Sequence, residues 1–214
     1  MPLTIFFILI TFNLIVYWII IKKRYRISEK LRILDIPNIS RKKHTKPMPL
    51  IGGMQIFFFL TIFFLADYFL KNLIMLDSNI YLICLFAFII GFIDDRSHLS
   101  GYIKLGSLYL IILLCLFFSD ALTLNDLYFD TFSKVFYLNY FNIFVTAFFI
   151  VALINAFNLC DGINGLALII GIIWMTYLNF FLYKNSNLFI IFFIILLLVT
   201  LYFNLKNYFY LGDS

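Results

Sequence analysis

Long, unbroken apolar runs separated by short polar interruptions dominate this chain, with no sustained two-residue alternation. A helix needs about 20 mostly apolar residues to cross roughly 30 Å of hydrocarbon. By that measure seven segments are candidate spans: 3–21, 50–70, 79–93, 104–118, 141–158, 166–183 and 187–203. The third and fourth are short and must take in flanking residues. An aromatic-rich outer-membrane barrel, a reading invited by the 29 Phe and 14 Tyr, needs alternating segments of about ten residues. The runs here are continuous, so the pattern predicts an all-α, polytopic transmembrane helical bundle. The first run is too long for the apolar core of a signal peptide, its positive charges follow it, and no small-residue cleavage site appears. It reads as a retained helix. No internal repeat, low-complexity linker or domain boundary interrupts residues 1–214, so a single membrane-embedded domain is expected.

Composition agrees with the pattern and removes the alternatives. At 64% hydrophobic and 13% charged, the chain lies outside the soluble globular range and far from a disordered composition. Cys84, Cys115 and Cys160 have neither CxxC spacing nor nearby histidines, so no disulfide framework or zinc site is legible. A net charge of +5 is weak evidence for nucleic acid, and none is expected as a partner; its distribution says more. With seven crossings, one side collects Lys22, Lys23, Arg24, Arg26, Lys30, Arg32, Arg41, Lys42, Lys43, Lys46, Arg96, Lys104 and Lys206, thirteen of the sixteen basic residues. The other side has Lys71, Lys134 and Lys184. Basic loops stay cytoplasmic, which puts the N-terminus outside.

That orientation sorts the carboxylates. Asp67, Asp77, Asp120, Asp126 and Asp130 fall to the outer side, where they read as ordinary solvated loop residues. Glu29, Asp35, Asp94, Asp95, Asp161 and Asp213 fall to the cytoplasmic side, the last four at the ends of different helices.

Four segments on that face carry candidate chemistry. Asp94-Asp95 directly follows an apolar span, where two acids oppose the helix dipole and repel each other. Either they stop the helix at the interface with Arg96 compensating, or they form a magnesium or proton-transfer site, since hard cations take carboxylate oxygens and bridge phosphates. In Asn155-Ala156-Phe157-Asn158-Leu159-Cys160-Asp161-Gly162-Ile163-Asn164-Gly165, two Asn precede what a simple Asp-Gly turn would require. The basic run Arg41-Lys42-Lys43-His44-Thr45-Lys46-Pro47-Met48-Pro49 leads through Leu50-Ile51 into Gly52-Gly53. It suits anionic headgroups or a phosphate held by charge. Finally, Leu211-Gly212-Asp213-Ser214 gains meaning only from its place beside the other three. His98 reads as an ordinary loop histidine, and Phe57-Phe58-Phe59 as facing lipid or neighbouring helices.

Taken in order, these segments resemble the polyprenyl-phosphate N-acetylhexosamine-1-phosphate transferases, glycosyltransferase family 4, and the basic loop is most similar to the branch using UDP-N-acetylglucosamine or a related small UDP-sugar. The resemblance covers the whole chain. It implies transfer of a sugar-1-phosphate from a cytoplasmic UDP-sugar to undecaprenyl phosphate with release of UMP, initiating a lipid-linked envelope glycan. It implies a multi-pass protein of the bacterial inner membrane with a cytoplasmic active site, Mg²⁺ or Mn²⁺ as cofactor, and a homodimer among the expected assemblies. By resemblance Asp94, Asp95 and Lys104 are catalytic. Asp213 and Asp95 bind the metal, and Lys43, His44, Asn155, Asn158, Asp161 and Asn204 bind substrate. The family pattern differs at Asn164, where a second acid is usual, and at Leu108, where glutamine is common. Family members also continue past Gly-Asp-Ser with further helices and a histidine-rich loop, so a C-terminally truncated chain is expected. A truncated, non-catalytic relative and, less favoured, an unrelated transporter are the alternatives. Transporters place ionisable groups near the bilayer midplane, whereas the candidates here share one interface.

Overall fold

The computed structural model describes residues 3–37, 46–70, 77–118, 122–130, 134–182 and 187–214. Eight α-helices carry the described chain: α1 (Leu3–Lys22), α2 (Arg24–Leu31), α3 (Gly52–Phe69), α4 (Ser78–Ser97), α5 (Gly101–Phe117), α6 (Asn142–Cys160), α7 (Leu166–Tyr177) and α8 (Leu188–Leu205). Five apolar helices are long enough to cross a bilayer, and Gly101–Phe117 and Leu166–Phe181 are shorter apolar helices. Together they account for the seven expected runs. The short third run extends to Ser97, because Asp94 and Asp95 lie in the last turn of α4 and do not end it. The sixth is shorter as an α-helix and continues through a π-helical turn, Leu178–Leu182. There the buried Asn179 side chain accepts from the backbone N–H of Asn187, which in turn caps α8.

Three elements depart from the span pattern. The basic first loop contains α2, whose Ile27 and Leu31 pack on the core while Lys23, Arg26 and Lys30 point outward. It ends where Arg32 adopts a left-handed conformation (φ 60°). Two residues later β1 (Leu34–Asp35) pairs antiparallel with β2 (Met48–Pro49), Leu34 opposite Pro49. On the opposite end of the bundle β3 (Asp126–Phe129) and β4 (Lys134–Tyr137) form an antiparallel ladder, Asp126 opposite Tyr137. Asp67, expected to be solvated, is instead buried within α3. Asp67 lies in the last turn of α3, on the face of that turn that is packed.

Aromatic side chains fill most of the interior. Phe6, Phe59 and Phe63 interlock with Phe189, Phe192 and Phe193 to join α1, α3 and α8. Phe57 stacks on Phe88 at a centroid distance of 4.1 Å and Phe64 on Tyr81 at 3.9 Å, zipping α3 to α4. The run Phe57-Phe58-Phe59 is thus divided by the 100° helical step: Phe57 meets α4, Phe59 is buried, and Phe58 stays exposed. Such offset and stacked pairs add to area burial. A second cluster, Ile90, Leu108, Ile112, Leu116, Ala147 and Val151, binds α4, α5 and α6. Leu108, where the family pattern has glutamine, is buried in it.

After α8 the chain turns back into the bundle mouth. The Tyr210 N–H donates to the Pro49 carbonyl at 2.9 Å. The Gly52 and Gly53 N–H groups, which open α3 and have no partner within the helix, donate to the carbonyls of Tyr210 and Leu211 at 3.1 and 3.0 Å. A Cβ on Gly53 would overlap the Ser214 carbonyl, and one on Gly91 of α4 would overlap the Asp213 carbonyl. These glycines make the close approach sterically allowed.

Gly91→Ala therefore forces residues 212–214 off α4. The expected outcome is a folded bundle with a lower thermal midpoint, reflecting a stability loss of about 1–3 kcal/mol as for an overpacked core position. Detergent-solubilised protein followed by circular dichroism measures it, and an unchanged midpoint would contradict the contact.

Candidate functional site

Helix alternation brings the C-terminal ends of α4, α6 and α8 and the N-terminal ends of α3, α5 and α7 to one end of the bundle. Four of the acids singled out above meet there. Asp94, in the last turn of α4, accepts the Leu99 N–H on Oδ1 at 2.7 Å and the Lys104 ammonium on Oδ2 at 2.9 Å. The Leu99 contact holds the α4–α5 corner, where His98 is left-handed (φ 50°) and closes the helix through its N–H to the Asp94 carbonyl. His98 is thus the C-cap of α4. Lys104, one turn into α5, is 9% exposed and also reaches Oδ2 of Asp213. One ammonium therefore bridges carboxylates more than a hundred residues apart in sequence.

Asp95 points elsewhere. Its Oδ1 accepts the Asp213 N–H at 2.7 Å and its Oδ2 accepts the Ser214 N–H at 3.1 Å. Gly212 precedes them with φ 80°, and a Cβ there would lie 2.7 Å from Asp95 Oδ2. Adjacent positions on a helix diverge by about 100°, which divides the work of the Asp pair between a side-chain ion pair and a backbone contact.

Asp161 follows α6 directly and faces the same group. Burial, followed by the charges of Asp213 and Asp95, pushes its carboxyl up to about 7, with the Gly212 N–H opposing. Asp213 is also held above the usual carboxylate range. Burial and the neighbouring Asp94 outweigh Lys104, because two carboxylates share a single cation. The corner carries more negative charge than its own ammonium balances.

The other candidates are distributed differently. Asn155 and Asn158 lie half-buried on the last two turns of α6, leading to Asp161. Asn204 is fully buried in α8, where its Nδ2 donates to the Phe209 carbonyl at 3.2 Å and shapes the turn that returns the chain. Its Oδ1 has no partner among the described residues. Asn164 donates through Nδ2 to Asn207 Oδ1 at 2.9 Å, tying the α6–α7 turn to the α8 exit. Lys43 and His44 lie outside the described residues.

Several contributors escape a sequence reading. Gly91 looks like any glycine in an apolar helix until the returning strand is placed against it. Arg24, one of many loop cations, sits 4.8 Å from the Tyr208 ring centre and flanks the returning segment. The Pro49-Leu50-Ile51-Gly52-Gly53 sequence gives a legible signal, since two glycines opening an apolar run imply a close backbone approach.

The site makes a signed pH prediction. Asp161 holds its proton more tightly in the folded chain than in the unfolded one, so its contribution is present at low pH and is lost as pH rises towards about 7. In metal-free buffer the thermal midpoint should fall between about pH 4 and about pH 7 and level off above that. Asp161→Asn should flatten that fall, and equal slopes in the two proteins would contradict the assignment.

The geometry can now be set beside known proteins. Residues 78–214, which include Asp94, Asp95, Lys104, Asp161 and Asp213, match the family model described as glycosyl transferase family 4. The undecaprenyl-phosphate alpha-N-acetylglucosaminyl 1-phosphate transferase of Escherichia coli K12 is 31% identical over 143 residues, 66% of this chain and 37% of that protein. The protein of the same name from Thermotoga maritima is 32% identical over 140 residues, 65% of this chain and 40% of the relative. A probable undecaprenyl-phosphate N-acetylglucosaminyl 1-phosphate transferase of Bacillus subtilis 168 is 31% identical over 158 residues, 71% of this chain and 41% of its own. The chain therefore spans about two fifths of the length of these relatives. On the strength of that match and of the acids it encompasses, the chain belongs to glycosyl transferase family 4.

Proposed function

We propose that this chain is a transferase module that moves a sugar-1-phosphate, N-acetylglucosamine-1-phosphate or a close analogue, from a UDP-sugar to undecaprenyl phosphate. The observation that carries the reading is Lys104, buried at the membrane edge between Asp94 and Asp213 with Asp161 facing them. In the reaction an oxygen of the lipid phosphate attacks the β-phosphorus of the UDP-sugar. The bond from that phosphorus to the bridging oxygen breaks, and UMP leaves with the bond's electrons. Both reactants are anionic, so fixed positive charge must meet them where the bilayer delivers one and the cytoplasm the other. Lys104 stands at that boundary, and Asp94 orients its ammonium.

The donor set fits a hard divalent ion. Among the described residues no three His, Cys, Asp or Glu converge in ligating geometry, but Mg²⁺ typically takes one or two carboxylates and completes its shell with water and substrate phosphate. Asp213 and Asp161 would hold it, since burial and, after it, the charge of Asp213 raise the Asp161 carboxyl, a cost that a cation between them would relieve. When bound, Mg²⁺ neutralises charge on the transferring phosphoryl oxygens. Asn155 and Asn158, on the turns before Asp161, are placed to meet the polar uridine side. Lys43 and His44 are assigned to the phosphate side through family resemblance alone. The positive-inside distribution supports a bacterial inner-membrane protein with this end cytoplasmic.

The test incubates membranes containing the chain with UDP-N-acetylglucosamine, Mg²⁺ and undecaprenyl phosphate and follows UMP. Lys104→Gln should lower turnover at least about 100-fold, the scale for losing a fixed charge at a transition state, with Lys104→Arg retaining more than Gln. Full activity in Lys104→Gln or in Asp213→Ala would overturn the assignment. A second reading, a non-catalytic fragment, is favoured by the chain's coverage of only two fifths of its relatives. It predicts no UMP from 214 residues and activity from a longer chain.

A further inference from the structure

The two acids of the Asp94-Asp95 pair do different things, and we infer that Asp95 is a positioning residue that fixes the Asp213-Ser214 backbone and acts on chemistry only through it. This deepens the transferase reading and rests on it for the consequence to catalysis, though not for the contact itself. Asp94 spends its carboxylate on Lys104 and the α4–α5 corner. Asp95 spends both of its oxygens on consecutive main-chain N–H groups, Asp213 at 2.7 Å and Ser214 at 3.1 Å.

Three further features make this a built seat. Gly91 is one turn before Asp95, so the two lie on the same face of α4, and its missing side chain leaves room for the Asp213 carbonyl. Gly212 takes φ 80°, which turns two successive N–H groups toward one carboxylate, and no side chain would fit against Asp95 there. On the opposite side Gly52 and Gly53 grip the preceding carbonyls through their free helix-end N–H groups. The segment 210–214 is thus held from α3 by its carbonyls and from α4 by its N–H groups. What this fixes is the direction of the Asp213 side chain, which leaves the clamped backbone toward Lys104. A charged acceptor gives stronger and shorter bonds to N–H than a neutral one, which explains an acid at position 95.

Hydrogen–deuterium exchange resolved to single amides tests this on the full chain in nanodiscs, without metal or substrate. The Asp213 and Ser214 amides of the unsubstituted chain should exchange at least about 100-fold slower than unstructured amides. Asp95→Asn, which keeps one acceptor and turns an NH₂ toward the other amide, should speed them about tenfold or more and leave the protection of α4, α5 and α6 unchanged. Asp94→Asn should leave both amides slow. In the turnover assay Asp95→Asn should lower kcat about 10–100-fold with KM for the UDP-sugar within about twofold, the mark of misplacement and not of lost binding. Fast exchange at both amides in the unsubstituted chain overturns the proposal whether or not Asp95→Asn folds. Equal effects of the two Asn variants on exchange also overturn it. Absence of turnover in the unsubstituted chain, with the exchange pattern intact, would count against the transferase reading and leave the clamp standing.

Discussion

Backbone meeting backbone without side chains between them is the constraint on which this architecture rests. Residues 210–214 re-enter the bundle at a depth where an unpaired amide or carbonyl is costly, so each polar group needs a partner within reach. The N-terminus of α3 supplies spare N–H groups, the Pro49 carbonyl takes one N–H, and Asp95 takes two more. That set of contacts closes only if the approaching chains come nearer than a Cβ allows, and Gly52, Gly53, Gly91 and Gly212 stand at the contact points. Everything chemically distinctive at this end of the molecule, above all the direction of the Asp213 side chain, follows from that closure.

Charge adds a second layer. Four carboxylates and one ammonium meet in partly buried surroundings, an arrangement that does not stabilise a fold for its own sake, because desolvation consumes much of the Coulombic gain. Burial, followed by the surplus negative charge, raises Asp161 and Asp213 and leaves the corner receptive to a cation. Strained or unbalanced electrostatics of this kind concentrate where chemistry is done. The helix packing around this corner shows the contrast: its contacts are stacked rings and interlocking aliphatics.

The sequence displayed some of this and concealed the rest for identifiable reasons. Apolar runs revealed the bundle because the bilayer enforces helix length. The thirteen-to-three division of basic residues gathered the right acids on one face before any contact was known. What stayed hidden depends on partners remote in the chain. Asp94 and Asp95 are chemically identical neighbours, and only the 100° step between them, with Lys104 on one side and residues 213–214 on the other, distinguishes their roles. Asn204 looked like a substrate-facing amide beside Asp213, but its Nδ2 is turned inward to the Phe209 carbonyl. Asp67 looked solvated because the apolar pattern shows where α3 ends but not which side of its last turn is packed. Amphipathic α2 was masked by the charges that fix topology, since eight residues give too few turns for a period to emerge.

The bond between Pro49 and Tyr210 has a consequence for biogenesis. A chain threaded into a membrane from its N-terminus places α3 and α4 long before residues 209–214 leave the ribosome. Until they do, the leading N–H groups of α3 and the carboxylate of Asp95 await their partners, and Lys104 has only Asp94. Contacts of such high sequence separation form last. Within residues 1–214 the charged corner is therefore completed after the helices that carry its other members, and a shorter nascent chain carries an open version of it. Synthesis order thereby separates insertion from assembly: the bilayer accepts these helices first, and the cluster of acids around Lys104 closes only once residues 210–214 have been drawn in.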